Sequence, residues 1–93
     1  MNLHFEWNPE KAKANLQKHQ VDFDEACNIF GDPQFITFLD EEHFVDEERF
    51  PTIGLSTQNR LLMVAHTERN ENIRIISARK ATKHEEKFYQ EAG

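Results

Sequence analysis

The sequence contains little cysteine, glycine or proline, and these shortages exclude several classes of protein. A single cysteine among 93 residues excludes an internal disulfide framework. The three glycines are not clustered, which argues against a phosphate-binding loop or a dinucleotide fingerprint. No apolar run approaches the roughly 20 residues of a membrane helix or follows a basic leader. We therefore expect a cytoplasmic protein that has no membrane segment.

The histidines do not form a metal-binding pattern. Five histidines are spread along the chain, and no two have the i, i+4 spacing that binds zinc on a helix. The triplet His66-Thr67-Glu68 matches the start of a zinc deaminase signature, but the Pro-Cys-x-x-Cys part is absent. The sequence therefore predicts neither a metal site nor a cofactor.

The charge is distributed unevenly along the chain, whose net charge is −6. Residues 19–48 contain ten acidic residues and no Lys or Arg, whereas residues 49–87 contain eight basic residues and four acidic ones. This division permits an anionic ligand on one surface and a cationic partner on another. A solvated surface of mixed charge is the alternative explanation.

Ninety-three residues are enough for one compact domain, and we predict that residues 1–93 form one. Three segments have helical signals: NPEKAKANLQKH, DFDEACNIFGDP and ATKHEEKFYQEA. The first opens with Asn8 as N-cap and with Pro9 at the first helical position. The other two each pair an N-cap side chain with a glutamate three residues later, which are Asp22 with Glu25 and Thr82 with Glu85.

The remaining apolar segments alternate as strands do. LHFEW comes first in the chain, and QFITFLD, ERFPTIGLS, RLLMVAHTE and IRIISAR follow residue 33. The connections between the last four are too short for parallel crossovers, so we expect neighbours to pair antiparallel. The predicted order is βααββββα, in a two-layer α+β domain whose helices pack on one face of a mostly antiparallel sheet.

The last predicted hairpin sets the geometry of a candidate site. With an even-numbered loop at RNEN, the pairing places His66, Glu68 and Arg79 on one face. Arg74 is five residues from Arg79 and falls on the opposite face unless a bulge intervenes. An imidazole, a carboxylate and a guanidinium together suit phosphodiester cleavage, since histidine transfers protons near neutral pH and arginine holds phosphate. The alternative is structural: a salt link between His66 and Glu68, with Arg79 supporting the last helix.

Three further residues have two interpretations each. Lys18 and His19 end the first helix, where they bind phosphate or simply stabilise the helix C-terminus. Arg49 begins a strand next to acidic neighbours, yet a guanidinium at a strand end can also reach RNA. The residues alone leave both interpretations open.

Short motifs spread over residues 5–89 together resemble one protein family. In chain order the motifs are FEWNP (5–9), KH (18–19), FxxA (23–26), FxDP (30–33), EERFxxIG (47–54), HTER (66–69) and IRIISARxATxxE (73–85). Their order and spacing resemble those of the BrnT toxins, which are RelE-like ribonucleases of bacterial type II toxin-antitoxin systems. That family usually has glycine after the Lys-His pair and before Glu-Glu-Arg-Phe, where this chain has Gln20 and Asp46.

The resemblance implies a RelE-like fold and metal-independent RNA cleavage that inhibits translation. It also implies neutralisation by a BrnA-type antitoxin, with operator DNA bound only through that antitoxin and with room for a toxin homodimer in the complex. The catalytic roles would be transition-state stabilisation by Arg79, proton transfer by His66, and orientation of that histidine or base function by Glu68. The expected RNA contacts are Lys18, His19, Arg49 and Arg74.

The sequence also supports an alternative function of another class. A catalytically inactive partner-binding module could act as a co-repressor in a protein-DNA complex. The net charge of −6 agrees with this alternative, because binding to RNA depends on neutralising its phosphates. Growth arrest on induction of the chain alone would separate a toxin from such a module.

Overall fold

The computed structural model describes residues 4–38 and 49–92. They form a mixed five-stranded sheet and three helices, which confirms the α+β class. The helices are α1 (Pro9–His19), α2 (Phe23–Asn28) and α3 (Lys83–Ala92), and a 3-10 turn (Ile29–Gly31) follows α2. The strands are β1 (His4–Glu6), β2 (Ile36–Thr37), β3 (Phe50–Leu55), β4 (Leu61–Arg69) and β5 (Asn72–Lys80). None of these three helices is long and apolar enough to cross a membrane.

Helices α1 and α3 begin at the capping residues that the sequence predicts. The Asn8 side chain accepts hydrogen bonds from the backbone N–H groups of Glu10 and Lys11, at 2.8 and 3.3 Å. At α3, the Thr82 N–H donates to the Glu85 carboxylate at 2.9 Å, and the Glu85 N–H donates to the Thr82 hydroxyl at 3.2 Å. This reciprocal pair is a capping box and confirms that prediction.

The capping box predicted for α2 is wrong, because the Glu25 side chain is bonded elsewhere. Asp22 does cap the helix and accepts the N–H of Asp24 at 2.6 Å. The buried Glu25 carboxylate accepts the Ser56 hydroxyl at 2.7 Å and Arg60 Nε at 2.9 Å. The hydrogen bonds from Arg60 lower the pKa of Glu25 in spite of its burial. These bonds fix α2 to the turn between β3 and β4.

The sheet has the strand order β1-β5-β4-β3-β2, with β1 parallel to β5 and the other neighbours antiparallel. Within the described part of the chain, β1 pairs with residues 72–74 of β5. Beyond them, the Asn15 side chain of α1 takes the place of a neighbouring strand. Its amide donates to the Ala78 carbonyl at 2.9 Å and accepts the Ala78 N–H at 3.1 Å. Helix α1 is thereby anchored along the edge of β5.

A β-bulge interrupts the pairing of β4 with β5. His66 pairs with Ile75, but Ala65 pairs with Ser77, so Ile76 is an extra residue on β5. Ile75 and Ala78 are consequently both buried although they are three residues apart, whereas a regular strand buries every second residue on one face. The bulge therefore reverses the alternation of β5 at its midpoint.

The sheet is covered on both faces. The inner face packs on α1 and α2 in a core of Val21, Phe23, Ala26, Ile29, Leu62, Val64, Ile75 and Ala78. The outer face carries Ile53, Met63 and Arg79, which are paired across three strands and so point the same way. Helix α3 packs on this outer face, where Glu85 bonds Arg79. The prediction that the helices pack on one face is therefore wrong, because the outer face also has an apolar position, Ile53, that is fully buried.

Gly54 allows the 3-10 turn to lie directly against β3. A Cβ atom at this position would lie 2.9 Å from the Ile29 Cβ and 3.1 Å from the Ile29 carbonyl oxygen. Any larger residue would push the end of α2 away from the sheet.

Candidate functional site

The bulge brings Arg74 and Arg79 to the same outer face. Arg74 pairs with Thr67 on one side of the bulge, and Arg79 pairs with Met63 on the other. Thr67 and Met63 are four residues apart on β4 and so share a face, and each pairs with a residue that points the same way. The prediction that the two arginines lie on opposite faces is wrong, because the extra residue Ile76 shifts the alternation between them.

Arg79 is held in one orientation and is still accessible. Its Nη1 donates to Glu85 Oε1 at 2.8 Å and to the Lys80 carbonyl at 3.2 Å, and its Nη2 donates to Glu85 Oε2 at 3.0 Å. These bonds raise the pKa of Arg79 and lower the pKa of Glu85, so both groups are charged at neutral pH. Because 42% of the Arg79 side chain is exposed, its remaining N–H donors can reach an anion.

Arg79 lines a groove of about 300 Å³ between α3 and the outer face, called here the Arg79 groove. Its lining consists of Phe38, Pro51, Met63, Arg79, His84, Glu85 and Phe88. The Phe38 and Phe88 rings are 5.3 Å apart between centroids and are inclined by 46°. Aromatic rings beside a cation suit a nucleotide, because the rings can stack a base while the cation binds a phosphate.

A second groove, of about 220 Å³, lies where the end of α1 meets β5 and is called here the Lys18 groove. Its lining consists of Lys11, Ala14, Asn15, Lys18, His19, Ile76 and Ser77. Lys18 is exposed and His19 is half-buried. The two residues predicted as RNA contacts on α1 therefore line one groove with the bulge of β5.

Strand β5 connects the two grooves. Ser77 lines the Lys18 groove, Arg79 lines the Arg79 groove, and both residues point to the outer face. Two residues apart along a strand, they are separated by about 7 Å. An extended polyanion is long enough to contact the cations of both grooves.

Arg49 and Arg74 lie outside the linings of both grooves. Arg74 Nη1 lies 3.5 Å from a carboxylate oxygen of Glu6, and 30% of the Arg74 side chain is exposed. At this distance and exposure the ion pair is weak, so it leaves the guanidinium available to another anion. Arg49 is exposed and directly precedes Phe50, which begins β3 and pairs with His66.

His66 is buried on the inner face, on the other side of the sheet from Arg79. It is 3% exposed, and its Nε2 is bonded to the Thr52 hydroxyl at 2.7 Å. Its ring contacts those of Phe30 and Phe50, at 5.1 and 6.0 Å between centroids. Burial lowers the pKa of His66 to about 4, so the imidazole is neutral at pH 7.

The structure does not bring the three predicted catalytic residues together. Glu68 shares the inner face with His66 because it is two residues further along β4, but it is exposed whereas His66 is buried. Arg79 points to the outer face, so the prediction that it shares a face with His66 and Glu68 is wrong. The bulge at Ile76 is again the reason. Across residues 4–38 and 49–92, no three His, Cys, Asp or Glu side chains are grouped as metal ligands.

Most of the sequence matches a known family. A family model described as "Ribonuclease toxin, BrnT, of type II toxin-antitoxin system" matches residues 7–85, a span that includes α1, the bulge and Arg79. The chain belongs to the BrnT family. The resemblance found in the sequence motifs is thereby confirmed.

The fold agrees with that of a BrnT toxin. The crystal structure of the Brucella abortus ribonuclease toxin BrnT matches this BrnT-family chain with a TM-score of 0.68 and 19% sequence identity. The match covers 88% of this chain and 100% of the Brucella chain. At 19% identity, the structural likeness supports a shared fold. No curated protein sequence matches the chain.

Phe38, His84 and Phe88 are among the residues of the Arg79 groove that sequence reasoning about this BrnT-family chain missed. His84 and Phe88 are four residues apart in a predicted helix, so their sharing of a face was available as a signal. The sequence does not show where that face points, because its direction depends on which side of the sheet α3 packs against. Phe38 lies in the predicted strand QFITFLD, but nothing in the sequence shows that it faces α3.

Proposed function

We propose that this chain is the toxin of a type II toxin-antitoxin pair and an endoribonuclease that inhibits translation by cleaving RNA. The observation that carries the proposal is the setting of Arg79. Its exposed guanidinium shares a groove with an imidazole and two aromatic rings, and lies about 7 Å along β5 from the groove of Lys18 and His19. Membership of the BrnT family supports the same function.

The proposed reaction is attack of a ribose 2′-hydroxyl on the adjacent phosphorus, with departure of the 5′-oxygen. Negative charge increases on the phosphate oxygens in the transition state, and Arg79 stabilises that charge through the donors that Glu85 does not use. The attacking hydroxyl loses a proton and the leaving oxygen gains one, which needs a proton-transfer group. Because a guanidinium and an imidazole supply both functions, the scheme requires no metal ion.

We assign proton transfer to His84 instead of His66. His84 lines the Arg79 groove, on the first turn of α3 next to Glu85. His66 is 3% exposed on the opposite face, where no substrate bound at Arg79 reaches it. In this scheme His66 supports the fold through its buried contacts, and a direct role for His66 or Glu68 in cleavage would require a different substrate position.

The proposed path of the RNA runs along the outer side of β5. Lys18 and His19 bind phosphates at the edge of the sheet, and Arg79 binds the phosphate that is cleaved. Arg74 shares the outer face and Arg49 lies at the start of β3, so both are placed to contact flanking phosphates. The cytoplasm is the proposed location, because the substrate is cellular RNA.

The proposed partner is a BrnA-type antitoxin. Type II systems pair a toxin with an antitoxin, and the family match makes such a partner part of the proposal. Operator DNA is bound only through the antitoxin, and a toxin homodimer within the complex is compatible with this arrangement. We propose that the antitoxin and RNA compete for the basic outer side of β5. Undiminished RNA cleavage in a saturated antitoxin complex would contradict competition.

The decisive experiment compares wild type with Arg79→Ala in RNA cleavage and in bacterial growth arrest on induction. We expect Arg79→Ala to lower kcat/KM at least about 100-fold, because it removes the charge that stabilises the transition state. His84→Gln should lower kcat by about 100-fold, because it removes the group that transfers the proton. Circular dichroism on each purified variant shows whether it is folded.

Lys80→Ala is the matched control, since Lys80 is the next cation on β5 and pairs with Leu62, a residue of the inner face. This variant should cleave RNA at the wild-type rate. If folded wild type and Arg79→Ala both leave RNA intact and growth unaffected, the chain is the inactive co-repressor module instead. If wild type cleaves RNA and Arg79→Ala does so equally well, cleavage takes place elsewhere.

A further inference from the structure

Phe88 exposes an aromatic ring that the packing of α3 does not bury. The residue is 46% exposed, although it is one of the few large apolar side chains of this helix. Its ring contacts the half-buried Phe38 at 5.3 Å, so Phe38 supports one side of Phe88 and the groove is open on the other. An exposed ring that is held in place from behind is a ready platform for a planar ligand.

The surroundings of this platform favour a nucleotide over a purely apolar ligand. Arg79 lines the same groove with 42% of its side chain exposed, so a cation lies beside the rings. A nucleotide presents a flat aromatic base and an anionic phosphate next to each other, which matches this pair of groups. The groove, of about 300 Å³, is at the lower end of the size of small-molecule sites and has room for one base.

We propose that the exposed face of Phe88, supported by Phe38, is a base-stacking subsite for single-stranded RNA. The base belongs to the nucleotide next to the phosphate that Arg79 binds. This inference rests on the proposed ribonuclease function and adds to it a requirement for an unpaired base at a fixed position. Adenine and guanine stack more strongly than uracil because their rings are larger, so the subsite prefers purines.

The test measures binding of short RNA in which every ribose is 2′-O-methylated, so that no 2′-hydroxyl is available and binding is separated from cleavage. The probes are oligoadenylate, oligouridylate and an abasic oligonucleotide of equal length. The proteins are full-length wild type, Phe88→Leu and Phe88→Tyr. Leucine keeps an apolar contact for Phe38 but removes the aromatic face, whereas tyrosine keeps that face.

We expect wild type to bind oligoadenylate more tightly than oligouridylate and both more tightly than the abasic probe. Phe88→Leu should weaken oligoadenylate binding about fivefold to tenfold without changing binding of the abasic probe. Phe88→Tyr should bind all three probes as wild type does. Tyr89→Phe serves as a control for the docking of α3, because it removes the hydrogen bond from Tyr89 to Asp32 and leaves the groove lining unchanged.

The outcomes separate this subsite from the proposed function. If wild type cleaves unmodified RNA but Phe88→Leu binds every probe as wild type does, the stacking subsite is wrong and the ribonuclease proposal stands. Equal weakening of the oligoadenylate and abasic probes by Phe88→Leu also contradicts stacking. If Phe88→Leu weakens only antitoxin binding, the groove holds a protein segment instead. Wild type that neither binds nor cleaves RNA contradicts both proposals.

Discussion

At the scale of the residue, His66 is a polar imidazole buried among apolar side chains. Its Nε2 shares a hydrogen bond with Thr52 at 2.7 Å, and the Thr52 hydroxyl is bonded in turn to that of Thr37 at 2.7 Å. Its Nδ1 is buried without a hydrogen-bond partner among the described residues. Among the residues that the structure describes, no carboxylate is bonded to the ring to compensate a positive charge, and burial lowers the pKa to about 4.

Acid should therefore destabilise the protein through His66. The unfolded chain takes up a proton on this histidine near its ordinary pKa of 6.5, whereas the folded protein does so only near pH 4. The free energy of unfolding should fall by about 3 kcal/mol from this group as the pH falls from 7 to 4. Urea unfolding of wild type and of His66→Gln at several pH values measures this change in the free energy of unfolding. The two proteins should differ in the slope of stability against pH, and parallel slopes would contradict the prediction.

The sequence could place His66 on a strand and on the same face as Glu68, but it could not show that His66 is buried. An imidazole at a position that faces either solvent or the core gives the same alternation of polar and apolar residues. Its burial depends on Phe30 and Phe50, which lie 36 and 16 residues earlier in the chain. The catalytic interpretation of His66 thus depended on an exposure that only tertiary packing decides.

At the scale of the element, the end of α1 contains a conformation that suits glycine better than the residue present. Gln20 has φ of 60° and ψ of 32°, which is the left-handed region, and its N–H donates to the Leu16 carbonyl at 2.9 Å. This is the position where BrnT toxins usually have glycine. A side chain with a Cβ atom is disfavoured in this region, whereas glycine adopts it readily.

Gln20→Gly should therefore stabilise the protein by about 0.5 to 1 kcal/mol. The hydrogen bonds of this residue are preserved, because both the one to Leu16 and the one from Arg60 Nη2 use its backbone. Chemical denaturation gives the difference in free energy of unfolding. Gln20→Ala is the matched control and should change it little, since alanine keeps the Cβ atom. Destabilisation by glycine would show that the left-handed conformation carries no cost here.

Helix α3 is the least firmly packed of the three helices. It has no buried residue, and it is held by the Arg79–Glu85 pair, the Tyr89–Asp32 hydrogen bond and the Phe38–Phe88 contact. Its amide hydrogens should exchange faster than those of α1 and β5, because it can open without exposing the inner core. Tyr89→Phe should speed exchange in α3 about fivefold and leave β4 and β5 unchanged, since one hydrogen bond is lost. Exchange of α3 only through global unfolding would contradict this prediction.

The strands show which features of the fold can be predicted from the alternation of polar and apolar residues. The turn at Asn70 and Glu71, with φ of 51° and 70°, has two residues, which agrees with the even-numbered loop assumed at RNEN. The predicted register of His66 is therefore correct. The prediction fails only beyond Ile76, where the bulge reverses the alternation and takes Arg79 to the outer face. Ile75, Ile76 and Ala78 are all apolar, so the sequence contains no signal that marks one of them as the extra residue.

At the scale of the whole molecule, an acidic protein has to bind an anionic polymer. The net charge is −6. In the described part of residues 19–48, three of the four acidic side chains have structural hydrogen bonds: Asp22 caps α2, Glu25 accepts from Arg60, and Asp32 accepts the N–H of Leu55. These acids serve the fold, so their presence does not argue against a basic path along β5. Asp46, where the family usually has glycine, lies outside the described residues.

The number of phosphates bound along that path can be read from the effect of salt on binding. If Lys18, Arg79 and Arg74 each neutralise one phosphate, the logarithm of the binding constant should fall against the logarithm of salt concentration with a slope of about −2, since each contact to a single strand contributes about −0.7. Removing one of these contacts by Lys18→Ala should reduce the slope by about 0.7 and leave kcat unchanged, because Lys18 lies outside the Arg79 groove. Titrations of 2′-O-methylated RNA at several salt concentrations measure both slopes. Identical slopes for the two proteins would place the RNA away from the Lys18 groove, and a slope near zero would mean that stacking, and not phosphate contact, dominates binding to this acidic chain.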